Sequence, residues 1–210
     1  QVVRSLSRLL PTFLRSYIQE VDGKPAQQML GFRSTRREVY LSGYWQNEDY
    51  FRDAARAIRP ELTPSLPDDD LNRSISADAQ SCDSVFLHIR RVKYTPRLDT
   101  GYYAEAIRRA KEALPKAKFF VFGDDMEWAK ANLNFGDSSV RYILHNDDDG
   151  IADMALMCRC KHGIIANSSF SWWGAWLIPT SDKIIFAPAN SGWPLSAAAG
   201  WNTVPNELEY

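Results

Sequence analysis

The chain reads as an α/β protein built on a doubly wound parallel sheet, Rossmann-like in plan. From residue 82 onward, short apolar strand candidates alternate with helix-length segments, and that alternation predicts parallel strands covered by helices on both faces. The chain has 210 residues, enough for one large domain or two small ones. With 45% hydrophobic and 24% charged residues, its composition is that of an ordinary globular protein.

The first eighty residues follow a different pattern. Val3, Leu6, Leu10, Phe13, Leu14 and Ile18 fall near helical spacing and predict an amphipathic helix over 1–19. A polar stretch with Gly23 and Pro25 follows, then a short strand around Glu38–Leu41. Residues 47–59 predict a helix, with Asn47 as N-cap and Pro60 as stop. Residues 60–81 are rich in Pro, Asp and Ser and predict a connector. The expected division is a mainly helical segment with its connector over 1–80 and a sheet domain over 81–210.

In the sheet domain the expected strands are Ser84–Ile89, Lys118–Phe122, Val140–Leu144, Gly163–Ala166 and Lys183–Ala187. The expected helices are Gly101–Leu114, Asp125–Leu133, Gly150–Arg159 and about Ser171–Leu177. Ala106, Ile107, Ala110 and Leu114 mark the core face of the first of these. No internal repeat or low-complexity tract interrupts the pattern.

Charge and cysteine usage narrow the function classes. Twenty-five basic and 26 acidic side chains leave a formal charge of −1, so there is no global field for a nucleic-acid backbone. No apolar run approaches the roughly 18 residues that cross a bilayer, so membrane contact is expected to be peripheral at most. Arg4, Arg8 and Pro11 break up the start, which does not read as a signal peptide. Three cysteines, Cys82, Cys158 and Cys160, cannot all pair, which favours a reducing compartment and a cytoplasmic location. Cys158-Arg-Cys160 looks like half a zinc site, but no second Cys/His pair has the spacing, so no metal is expected.

In a doubly wound sheet, ligands sit outside the carboxyl ends of the strands. The residues that follow the predicted strands are His88, Arg90 and Arg91; Gly123, Asp124 and Asp125; His145 and Asn146; Asn167, Ser168, Ser169 and Ser171; and Pro188 and Asn190. Two adjacent guanidinium forks match phosphate oxygens. The run Asn167-Ser168-Ser169-Phe170-Ser171 leads into a helix, whose hydroxyls and free N–H groups suit an anion. Asp124 and Asp125 are wrong for phosphate, but a carboxylate accepts hydrogen bonds from a guanine edge or a ribose diol. Together these types suggest a nucleoside diphosphate. Each has a structural alternative: surface ion pairs for the arginines, a helix N-cap for Asp124 and Asp125, a turn for the serines, and structural roles for His145 and His162. The run Asp147–Asp149 reads as a cap for the next helix. Of seven tryptophans, Trp172, Trp173 and Trp176 lie within five residues, either filling a core or shaping a cleft.

The chain resembles the α-1,2-fucosyltransferases of glycosyltransferase family 11 over about Leu41 to Pro188. The likeness rests on GYWQNEDYF (Gly43–Phe51), HIRR (His88–Arg91), YYAEAI (Tyr102–Ile107), FFVFGDDMEW (Phe119–Trp128) and, most specifically, KHGIIANSSFSWWGAWL (Lys161–Leu177). The resemblance implies the C-terminal nucleotide-binding half of a GT-B enzyme, with residues 1–80 a remnant of the acceptor lobe. It implies an inverting transfer of L-fucose from GDP-fucose to the 2-hydroxyl of a terminal galactose on an oligosaccharide, with no metal or other cofactor. Arg90 would contact the diphosphate as the catalytic group, with His88 near the nucleotide. Asp125, with Asp124 beside it, would read the base or ribose, and Ser169, Phe170 and Ser171 would line the phosphate and sugar pocket. Two departures stand out. Lys93 occupies the place where the family usually carries a carboxylate after the arginine pair. No glycine-rich segment precedes Gly43, which reads as an absent lobe, and a lost N-terminus would leave a Golgi location open.

Overall fold

A computed structural model describes residues 17–19, 40–43, 47–92, 94–146, 149–192 and 197–210. Contacts divide the chain into two compact units, Gln1–Ala55 and Arg56–Tyr210.

In the first unit, β1 (Tyr17–Gln19) and β2 (Tyr40–Ser42) pair in parallel. The helix expected over 1–19 therefore gives way to a strand at its end, and residues 1–16 lie outside the described residues. Asn47 is a cap, but of a 3-10 turn at Glu48–Tyr50, where its side chain accepts from the Asp49 N–H at 2.9 Å. A second 3-10 turn, Arg52–Ala54, follows. The helix expected over 47–59 starts only at α1 (Ala55–Leu62), and Pro60 lies inside it instead of ending it. The chain closes the turn beyond the proline by donating from the Thr63 N–H and hydroxyl to the Arg59 carbonyl, at 3.0 and 2.7 Å.

The expected connector over 60–81 contains α2 (Asp70–Ser81), started by Asp69, whose carboxylate accepts from the Asn72 N–H at 2.8 Å. This helix buries Asn72, Ile75, Ser76 and Ala79, a stripe at helical spacing. Two of the four are polar, so a search for apolar periodicity passes over them.

Then follow β3 (Ser84–Ile89), β4 (Arg97–Leu98), α3 (Thr100–Ala113), β5 (Lys118–Gly123), α4 (Met126–Asn132) and β6 (Val140–Tyr142). After them come α5 (Gly150–Met157), β7 (His162–Ile164), α6 (Ser169–Leu177), β8 (Ile185–Pro188), β9 (Asn202–Val204) and β10 (Leu208–Glu209). The five strands expected from sequence are all present within a few residues. β4, β9 and β10 were not foreseen: they are two or three residues long, too short for a periodic signal.

The central sheet has six strands in the order β6-β5-β3-β7-β8-β9, every neighbouring pair parallel. Counted along the chain this is third, second, first, fourth, fifth, sixth, the order of a doubly wound dinucleotide-type sheet. The winding reverses between β3 and β7, and that is where such sheets open a crevice. β10 pairs antiparallel with β4 outside this sheet.

Strand alternation sends neighbours to opposite faces. Val85, Leu87, Ile89, Phe119 and Val121 share one core with Tyr102, Tyr103, Ala106, Ile107 and Ala110 of α3. Phe86, His88, Phe120 and Phe122 take the alternate positions. α5 packs against both α2 and α6. The Tyr102 hydroxyl donates to the Ile165 carbonyl at 2.5 Å, satisfying a buried polar group just past β7. All three cysteines are free. Among the described residues no helix is long and apolar enough to cross a membrane.

Candidate functional site

A cavity of about 1160 Å³ lies at the carboxyl ends of β3, β5 and β7. His88 and Arg90 come from the end of β3, Val92 and Tyr94 from the loop beyond, Gly123 and Asp124 from the end of β5. Gly150 and Asp153 come from α5, and Ser168, Ser169 and Phe170 from the start of α6.

Among the described residues, Arg90 has one carboxylate partner. Its Nη1 donates to Asp124 Oδ2 at 2.8 Å, yet its side chain keeps 42% of its exposure. Its guanidinium carbon stands 5.4 Å from the centre of the Tyr94 ring. The second oxygen of Asp124 accepts from the Arg91 backbone N–H at 2.8 Å. Asp124 is thus committed twice, to fixing Arg90 and to bracing the turn after β3. Gly123 makes the closeness possible. Its φ is +139°, and a Cβ there would sit 2.1 Å from the Ile89 carbonyl oxygen.

His88 is 5% exposed and its ring centre lies 5.4 Å from that of Phe170. Its Nδ1 is buried with no hydrogen-bond partner among the described residues. Burial, reinforced by the charge on Arg90, pushes its pKa down to about 3, so the ring is neutral near pH 7. A buried, unsatisfied ring nitrogen at a cavity wall is costly unless a ligand or water meets it.

The start of α6 is open. Ser168 stands at the N-cap position in extended geometry but makes no side-chain cap bond. The N–H groups of a helix's first turn have no intrahelical partners. At the other end, Lys183 Nζ donates to the carbonyls of Ala175, Trp176 and Ile178 at 2.8, 2.9 and 3.0 Å. Arg59 also donates to Trp176 and Ile178 and lies 3.9 Å over the Trp176 ring.

The remaining residues singled out in the sequence are placed elsewhere. Arg91 is 8% exposed; its guanidinium donates to the Leu98 carbonyl and to Glu209, both at 3.0 Å, and stacks 4.0 Å from the Trp128 ring. It does not reach the cavity. Asp125 is the N-cap of α4, accepting from the Trp128 N–H at 3.1 Å. Asn167 is fully buried: its Nδ2 donates to the Pro96 and Ser191 carbonyls, and its own carbonyl accepts from the Tyr94 hydroxyl at 2.7 Å. Burial pushes the Tyr94 phenol up to about 12, keeping it a donor. Ser171 turns inward, accepting from the Ala166 N–H and donating to the Ser168 carbonyl. Asp149 caps α5, accepting from the Ile151 and Ala152 N–H groups at 3.1 Å. Lys93, Asp147 and Asp148 lie outside the described residues.

Val92, Tyr94, Gly150 and Asp153 are cavity residues that sequence reasoning missed, and Asp153 is the charged one. It stands one helical turn into α5, in a stretch that reads as plain core helix. Asn146 Nδ2 donates to its Oδ1 at 2.8 Å, and burial raises its pKa.

The sheet order defines a doubly wound α/β domain, and its open cavity lies at the switch point, where such sheets bind ligands. Residues 13–197 match the model for glycosyl transferase family 11, and the chain belongs to that family. It is similar to an alpha-1,2-colitosyltransferase of Escherichia coli, 39% identical over 74% of this chain and 57% of that protein. It is also similar to the O-antigen biosynthesis glycosyltransferase WbnK of Escherichia coli, 36% identical over 52% of this chain and 39% of that one. A human galactoside alpha-(1,2)-fucosyltransferase 1 is 24% identical over 75% of this chain and 50% of its own length. The chain spans about half the length of the curated relatives it matches. No solved structure matches it.

Proposed function

We propose that the cavity takes a guanosine-diphosphate sugar of the L-fucose kind. We further propose that the protein transfers that sugar, with inversion, to the 2-hydroxyl of a terminal galactose. The observation that carries this reading is the meeting of a half-exposed guanidinium, Arg90, with the uncapped start of α6 in one cavity. A pyrophosphate fits between them. Asp153 suits the base better than Asp124 or Asp125. Both Asp124 oxygens have partners within the chain, and Asp125 caps α4, whereas one oxygen of Asp153 is held and the carboxylate lines the cavity. A carboxylate accepts from guanine N1–H and N2–H, and adenine and uracil lack that pair of donors on one edge.

In the transfer, the galactose O2 forms a bond to C1 of the donor sugar from the face opposite the nucleotide. The bond from C1 to the β-phosphate oxygen breaks, and the hydroxyl proton passes to a base. Negative charge builds on the departing diphosphate, and Arg90 is placed to stabilise it without a divalent cation. The colitosyl relative bears on the donor: colitose is L-fucose without its 3-hydroxyl, so both GDP-sugars belong in the assay.

Calorimetry with GDP, UDP and ADP tests the binding half. GDP is expected to bind and UDP to bind much more weakly, with Arg90→Ala abolishing binding; equal affinity for GDP and UDP overturns the reading. Incubation with GDP-fucose or GDP-colitose and lactose, read by mass spectrometry, tests the transfer half. Lys93, in place of the family's carboxylate, favours a second reading in which the chain binds the nucleotide sugar without turnover. GDP binding with no product supports that one.

A further inference from the structure

A polar relay, buried at Asn72, runs from α2 to the cavity and starts at the exposed Asp69, the cap of that helix. Asn72 Nδ2 donates to Asp69 Oδ2 at 2.8 Å and to Asn146 Oδ1 at 3.0 Å. Asn146 Nδ2 donates in turn to Asp153 Oδ1 at 2.8 Å. His145 Nε2 stands 3.1 Å from Asn72 Oδ1.

The direction of the relay is fixed by its ends. Asp69 and Asp153, when ionised, only accept, so each must face an amide NH₂. That choice orients both asparagines and leaves Asn72 Oδ1 as an acceptor, so His145 carries its proton on Nε2. Asn72 is 2% exposed, and an amide buried to that degree is retained only where its bonds are made. One end of this fully directed chain is a helix cap. The other is a carboxylate on a cavity wall.

We propose that Asn146, backed by Asn72, is a positioning residue that sets nucleobase selectivity by fixing the Asp153 carboxylate. It occupies Oδ1 and so leaves Oδ2 as the oxygen that faces the base. The inference rests on the reading of Asp153 as the base contact. It adds that the selectivity of the cleft depends on α2, a helix from which no described residue lines the cavity.

The test is calorimetry of GDP, ADP and inorganic pyrophosphate on the full chain and four variants. Asn146→Ala is expected to reduce the GDP-to-ADP affinity ratio about tenfold, as for loss of a hydrogen bond to a charged group, with pyrophosphate affinity unchanged. Asn146→Ser, which keeps a donor, restores part of the ratio. Asn72→Ala reduces it in the same direction by a smaller factor, about threefold. Asp153→Asn abolishes it. If Asp153→Asn abolishes the ratio and Asn146→Ala leaves it intact, the positioning role is overturned and the base contact stands. If Asp153→Asn leaves the ratio intact, the base contact itself fails, and the positioning role with it. Equal loss of GDP, ADP and pyrophosphate binding in Asn146→Ala marks a merely structural residue and also overturns the proposal.

Discussion

Arg90 and Arg91 are neighbours with opposite surroundings. The turn that follows β3 sends one guanidinium to the cavity and the other under Trp128, where it is enclosed by Leu98 and Glu209. The sequence motif shows both and distinguishes neither, because the partners of Arg91 lie 7 and 118 residues away in the chain. Arg90→Ala is expected to cost on the order of 10²–10³ in turnover, the range for losing one preorganised charged donor. Asp124→Asn keeps an acceptor for the Arg91 N–H and removes the charge that fastens Arg90. It is expected to lower kcat about tenfold without raising KM, because orientation is lost while a charge that repels phosphate is also gone. A raised KM at unchanged kcat contradicts that role. His88 makes a prediction about acid. The unfolded chain takes up a proton near pH 6.5, and the folded chain refuses it until about 3, so stability falls as pH drops through that window. His88→Gln is expected to flatten the urea midpoint between those pH values.

At the scale of elements, α2 shows where sequence reading stops short. Pro, Asp and Ser around residues 60–70 read as a connector, and half of the buried stripe of α2 is polar. Ile75 is its largest apolar anchor, 2% exposed. Ile75→Ala is expected to cost about 2–5 kcal/mol, the range for emptying a core site of that size; a denaturant midpoint close to wild type would show that α2 is not docked. Five of the six strands of the main sheet were legible as short apolar-rich runs, whereas β9, three residues of mixed polarity, was not. The cavity residues at their ends were legible for the same reason: once the strands are placed, their last residues converge. Asp153 was not legible, because a carboxylate one turn into a helix carries no local mark of what faces it.

For the molecule as a whole, the parallel sheet decides where ligand chemistry can sit, and its last short strands decide how firmly the second unit closes. β10 pairs with β4, and its Glu209 meets Arg91. Deleting Leu208–Tyr210 leaves a buried guanidinium without its carboxylate. Glu209 is half-exposed, so the expected loss is about 1 kcal/mol, read as a lowered urea midpoint that Glu209→Gln reproduces in part. An unchanged midpoint in the deletion shows that the tail contributes nothing to closure. The parallel α/β sheet is what the alternation of strand and helix predicts; the order of its strands is not legible from that alternation. The antiparallel tail did not, because two-residue strands depend on partners far along the chain.

α6 is nine residues long, so its two ends stand about 13 Å apart. Two cations, Lys183 and Arg59, are tied to its carbonyl end. They offset the negative pole of the helix from inside the protein, while the positive pole at Ser169 opens on a cavity whose wall also carries Asp124 and Asp153. For the diphosphate proposed above, that pole is expected to add an attraction that does not depend on the momentary position of the Arg90 side chain.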